Sequence, residues 1–161
     1  MGMQCWARTI IIGCLTFAIA AGCDKGLPAT TTGPLSTQLN SANAVAEATV
    51  QDFVDAYNEQ NLNDMLALAH EDITWLSVEA NSTTVMTDGA AALREELSGY
   101  FGAEDTPRSN VEILKSHGPF VTTLERAYWT VNGEEKSQAS FAVYEVENNK
   151  IRRVWYYPAS P

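Results

Sequence analysis

The chain has 161 residues and carries twenty Asp and Glu against ten Lys and Arg, a formal net charge of −10 at pH 7. That balance opposes nucleic-acid binding, whose affinity comes largely from Lys and Arg on phosphates, and opposes flat docking on anionic lipid. Cys5, Cys14 and Cys23 are all of the cysteines, so any domain beyond them must hold by packing without disulfides.

In chain order, Arg8 stands ahead of an apolar run that starts near Ile10 and closes on Ile19-Ala20-Ala21-Gly22. A charged start, a short apolar stretch and small residues before a cut site make a secretory signal peptide, here residues 1–22. The apolar run is about a dozen residues, too short for a spanning helix, which needs ~20. An ordinary signal peptide would leave Cys23 as an unpaired thiol in an oxidising compartment. Loss of residues 1–22 removes only Arg8 among the charged residues, leaving nine cations against twenty acids.

With Cys23 directly after the small residues, Ala20-Ala21-Gly22-Cys23 resembles a bacterial lipobox. The resemblance implies cleavage before Cys23, diacylation of its thiol, acylation of the new amine and attachment to the lipid bilayer through those chains. Asp24 resembles the signal that keeps Gram-negative lipoproteins in the inner membrane, on its periplasmic face. Residues 24–44 are rich in Thr, Ser, Ala, Gly and Pro, so 23–44 reads as an acylated cysteine and a flexible tether. A coil of about twenty residues has a mean reach of ~25 Å. One domain is then expected over residues 45–161.

Val50, Phe53, Val54 and Tyr57 fall at i, i+3, i+4 and i+7, one stripe of a helix. Leu62, Met65, Leu66 and Ala69 repeat that spacing, with Asn61 as N-cap and Asp64 in the first turn. Residues 73–78 are β-branched and aromatic and predict a strand. Asp88 is expected to cap a third helix whose Ala90, Leu93, Leu97 and Tyr100 or Phe101 face one way. The period then changes to two. Turn signals at His117-Gly118-Pro119, Asn132-Gly133 and Asn148-Asn149 cut four strands, roughly 110–116, 120–131, 137–146 and 151–157. This predicts an α+β domain with three N-terminal helices packed on one face of a curved antiparallel sheet.

That order, with the pieces "LALAHEDITW" and "KIRRVW", resembles the SnoaL-like, or nuclear-transport-factor-2-like, cone fold over residues 45–159. The resemblance implies a conical cavity between sheet and helices, and often a homodimer through the outer sheet face. Family members include isomerases, cyclases, dehydratases, epoxide hydrolases and pure binding modules, so fold leaves function open. Ketosteroid isomerase, one such enzyme, needs a tyrosine, an aspartate base and a protonated aspartate. Aligning on "NEQN", "EDITW" and "ENNKI" puts Phe53, Ser77 and Ala142 at those places, so that reaction is argued against.

Glu125 and Arg126 are strand neighbours and point to opposite faces. The same alignment turns Glu125, Ala127 and Trp129 inward and Arg126 outward. A carboxyl among Trp75, Trp129 and other apolar groups would have a raised pKa and could serve as general acid or base. The alternative is that Glu125 pairs with Arg152 or Arg153, or sits at a wet rim. His70, placed at the end of the second helix, is a second candidate for proton transfer, or simply meets helix-end carbonyls. The cavity is further expected to take Phe53, Ala142, Tyr144 and Tyr156 into its wall, since Tyr and Trp present an apolar body with a polar tip. Two histidines without a thiol cluster give no metal-ligand pattern, and no cofactor motif occurs.

The sequence thus points to a membrane-tethered domain that binds a small apolar or amphipathic molecule in its cone. Two alternatives stand beside it: a cofactor-free lyase, isomerase or hydrolase built on Glu125 and His70, and a scaffold that docks partners through the outer sheet. For the anchor, Cys23→Ala should abolish incorporation of labelled palmitate and release the protein from membranes. Unchanged acylation and membrane retention would refute it.

Overall fold

The computed structural model describes residues 34–101 and 106–157; Cys23 and the signal expected over residues 1–22 lie outside them. Helix α1 (Pro34–Asn58) and the short helix α2 (Leu62–Ala67) come first. Strands β1 (Ala69–Glu79) and β2 (Ser82–Asp88) follow, then helix α3 (Ala90–Tyr100). The rest is a meander of β3 (Arg108–His117), β4 (Phe120–Val131), β5 (Glu134–Glu147) and β6 (Lys150–Tyr157).

Local chemistry explains most boundaries. The Asn61 side chain accepts from the Asp64 N–H at 3.2 Å, capping α2 as its sequence predicts. Asn132-Gly133 and Asn148-Asn149 both adopt left-handed backbone, the conformation a two-residue hairpin requires. Asp88, by contrast, does not cap α3. It ends β2 opposite Thr74, and Gly89 takes the N-cap position with φ 89° and no side-chain cap. The Gly89 N–H is spent on the Ile73 carbonyl at 2.7 Å, so the chain leaves the sheet and enters the helix within one residue.

Helix α1 begins at Pro34, ahead of the domain boundary expected at residue 45. Proline suits a first helical turn because its missing N–H had no partner there. The added turns make tertiary contacts: the Gly118 N–H donates to the Asn43 side chain at 2.8 Å, and the Ser116 hydroxyl donates to Glu47. Residues 34–44 are therefore helical, which corrects the expectation of a flexible tether across that stretch.

Among the described residues six strands form one sheet in the order β2-β1-β6-β5-β4-β3. The β2 strand was not foreseen. It is an edge strand reading Ser-Thr-Thr-Val-Met-Thr-Asp, with only Thr87 buried, so no apolar alternation announces it. The sheet is also mixed and not wholly antiparallel, because β1 pairs with β6 in parallel, Trp75 opposite Val154 and Ser77 opposite Tyr156. Register shifts interrupt the pairs β1–β2, β1–β6, β3–β4 and β5–β6, and such bulges bend the sheet into a trough.

The helices fill that trough. Ala46, Val50 and Phe53 of α1, Met65 of α2 and Leu93 of α3 pack on Ile73, Val121, Ala142, Tyr144, Ile151 and Val154 of the sheet, all buried. At the far end of α1, Asn58 clamps strand β3. Its amide donates to the Ser109 carbonyl and accepts from the Ser109 N–H, both at 2.7 Å. These residues form one α+β domain with its core on the concave face. No helix among them is long and apolar enough to cross a membrane.

Candidate functional site

Beyond the packed core, between the C-terminal half of α1 and the sheet, lies a cavity of about 180 Å³. Phe53, Val54 and Tyr57 enter from α1 and Met65 from α2; β1 supplies Trp75 and β6 supplies Tyr156. Ser109, Glu125, Ala127 and Tyr144 close it from β3, β4 and β5. The spacing that makes α1 amphipathic also aims Phe53 and Tyr57 at this space, because residues four apart share a helix face.

Glu125 is the one acidic side chain on this lining, and it is 7 % exposed. Tyr144 donates its hydroxyl to Glu125 Oε1 at 2.5 Å, and Thr123 donates to the same oxygen at 3.1 Å. Alternation along β4 puts Thr123 two residues away on the same face; the β5 register pairs Tyr144 with Val121 on that face, and its hydroxyl reaches along the sheet to Glu125. Burial pushes the Glu125 carboxyl above its ordinary value of 4.5, and the two hydroxyl donors only partly offset that. Tyr144 is driven well above the usual tyrosine value by burial and by the neighbouring carboxyl. Burial, helped by a hydrogen bond to Tyr100, raises Tyr57 as well. The site is therefore a carboxyl that holds its proton to higher pH than usual, beside Tyr57 and Tyr144, whose hydroxyls do the same.

Six residues expected to line the cone meet here: Phe53, Trp75, Glu125, Ala127, Tyr144 and Tyr156. Two do not. Trp129 shares the face of Glu125 and Ala127 but stands opposite Lys136, near the β4–β5 hairpin tip and past the cavity. Ala142 is fully buried, and its methyl is taken up in the core. His70 is also apart from the cavity. It is the second residue of β1, not a helix-end residue, and its Nδ1 accepts from the Asp72 N–H at 3.1 Å.

Arg126 points outward and is exposed. Neither cation weighed as a partner for Glu125 reaches it. Arg152 donates to Glu147, and Arg153 donates to Glu145 at 3.0 Å while its guanidinium lies over the Trp155 ring. The wet-rim alternative fails on burial. Sequence reasoning missed Tyr57, whose place in the α1 stripe reads as core, and Thr123, whose only signal is being two residues from Glu125. Among the described residues no three His, Cys, Asp or Glu side chains converge as a metal site requires.

A family model described as a SnoaL-like domain matches residues 50–154. No curated protein sequence matches the chain. Among solved structures, an LEH-like epoxide hydrolase from M. tuberculosis aligns with TM-score 0.59 at 18 % identity, covering 73 % of this chain and 84 % of that one. A cystatin-fold protein from Novosphingobium aromaticivorans aligns with TM-score 0.57 at 20 % identity, covering 70 % and 96 %. TerC, co-crystallised with polyporic acid, aligns with TM-score 0.57 at 15 % identity, covering 71 % and 92 %. At these identities the likeness is one of fold.

The raised Glu125 value has a signed consequence for stability. The folded chain holds the proton to higher pH than the unfolded chain, so this contribution is full below pH 4.5 and is lost as pH rises through the folded value. Glu125→Gln keeps an oxygen that can accept from Tyr144 and Thr123 but has no proton to lose. Its melting temperature should lie close to wild type at pH 4 and gain on it as pH rises. A large loss at every pH, or a difference that does not vary with pH, would show that burial does not control this carboxyl.

Proposed function

The chain belongs to the SnoaL-like family, and on that premise we propose that it binds a small amphipathic molecule in its cone. The observation that carries this is the cavity itself: an aromatic and aliphatic wall with one convergent polar end, the pattern expected of a small-molecule site. With Oε1 of Glu125 occupied by two hydroxyl donors, the acid proton belongs on Oε2. In its protonated form such a carboxyl donates to a carbonyl or hydroxyl oxygen. The aromatic wall made by Trp75, Tyr57 and Tyr156 suits a flat ring.

A second reading is favoured by the Tyr144–Glu125 hydrogen bond. A carboxyl whose proton affinity is raised by burial and tuned by a phenol is suited to general acid–base work. On that reading Glu125 carries the proton in a lyase, isomerase or hydrolase reaction, and Tyr144 and Thr123 orient it. His70, outside the cavity, has no part in it. Glu125→Gln then separates the two readings, since it would abolish turnover while leaving a bound molecule in place.

The domain is further proposed to work beside a membrane, tethered through acylated Cys23, and as a pair of identical chains. The pairing argument rests on the convex sheet face. There Phe141, 54 % exposed, stands in register between Leu124 and Tyr157, and Val143 stands beside Trp155. Phe120 extends the patch and meets the Trp155 ring with centroids 6.3 Å apart. Contiguous exposed aromatics on a sheet face commonly mark an interface.

Two measurements check these statements. In a 1H–15N titration, phenol should give saturable shifts clustered on Phe53, Glu125 and Ala127, and Ala127→Phe should erase them by filling the cavity. No saturable shift at those residues would end the binding reading. Light scattering should give twice the chain mass for wild type and the monomer mass for Phe141→Glu; a monomeric wild type would end the pairing.

A further inference from the structure

The cavity that holds Glu125 has a neighbour. A second space of about 460 Å³ lies between α3 and strands β1 and β2, walled by Ser77, Met86, Leu93 and Leu97. Trp75 and Tyr156 line both spaces. Tyr57 belongs to the inner one and Tyr100 to the outer one; their rings stack with centroids 6.3 Å apart, and the Tyr57 hydroxyl donates to that of Tyr100 at 3.4 Å. The partition is thus built of aromatic side chains, which can part by rotamer changes without moving a strand.

The two spaces differ in size and chemistry. The inner one, about 180 Å³, is of single-ring size, since apolar cavities of ~150 Å³ accept benzene. It ends at the buried carboxyl of Glu125. The outer one falls within the ~300–1,000 Å³ usual for ligand pockets. Met86, Leu93 and Leu97 make it mostly apolar, and its rim is polar, where the buried Thr87 hydroxyl donates to Glu96 at 2.5 Å. A ligand confined to the inner space would leave this apolar surface wet.

We infer that the two cavities form one bipartite site for an elongated amphipathic molecule. A ring bearing a hydroxyl or carbonyl sits by Glu125, and an apolar tail passes between Trp75 and Tyr156 into the outer space. The class selected is ring plus tail, as in an alkylphenol. A carboxylate at the far end of the tail would meet Glu96 and is disfavoured. This inference rests on the proposal that the inner cavity binds a ligand.

The test compares phenol with 4-hexylphenol, by titration against the full chain. The longer probe should bind about tenfold tighter or better, from burial of its methylenes. Met86→Glu should cancel that gain and leave phenol binding unchanged. Met86 is 59 % exposed, so its replacement spares the packed core. Ala127→Phe should remove binding of both probes. Equal affinities for the two probes in wild type, or a gain that survives Met86→Glu, overturns the bipartite site while the inner-cavity reading stands. If phenol itself does not bind, the underlying reading falls, and this inference falls with it.

Discussion

Packing of α1 across the bent sheet is the constraint on which both stability and the cavity depend. One stripe of the helix does two jobs along its length. Ala46, Val50 and Phe53 press on buried strand residues, while Val54 and Tyr57, further on, face a gap. The helix is held near its middle by Asn43 and Glu47, which bond residues of the β3–β4 turn, and at its C-terminal end by Asn58 on strand β3. A rod pinned at two points over a curved surface cannot close every space beneath it. The cavity lies beneath the C-terminal half of the helix, beside the Asn58 clamp.

Within that space the electrostatics follow from burial. A carboxyl removed from water resists ionisation, and here no cation comes near enough to reverse the effect. Thr123 and Tyr144 supply hydroxyls, which satisfy the carboxyl without neutralising a charge. Arg152 and Arg153 of β6 pair with Glu147 and Glu145, away from the cavity. Strand alternation therefore sorts the sheet into a convex face with ion pairs and exposed aromatics, and a concave face whose cavity lining holds one acid, Glu125. That sorting lets one sheet carry two proposed activities, ligand binding inside and pairing outside, with no residue serving both.

Much of this was legible before any coordinates. Periodicity located the three helices and five of the strands, and the Asn-Gly and Asn-Asn turns were in place. Strand alternation alone put Glu125 and Arg126 on opposite faces. The misses have physical causes. Strand β2 hides because an edge strand buries little and needs no apolar alternation. Asp88 looks like a helix cap, yet its backbone is committed to pairing with β1. The start of α1 looks like a linker because Ser, Thr and Asn are weak helix formers, and the contact that supports it comes from a turn more than seventy residues on.

What the sequence determined by itself is what depends on near neighbours: helix and strand periods, turn positions, the acidic balance and the opposite facing of Glu125 and Arg126. These follow from backbone geometry and residue chemistry within a few positions of each other. Only the tertiary structure decided which inward residues share a space. Trp129 and Ala127 lie on the same strand face two residues apart, yet Ala127 reaches the cavity and Trp129 does not, because the helices cover one and stop short of the other. It also decided the partner of Glu125, choosing Tyr144 over an arginine. Register between β4 and β5 sets that choice, and register is a long-range agreement among turns, bulges and core packing that no local pattern contains.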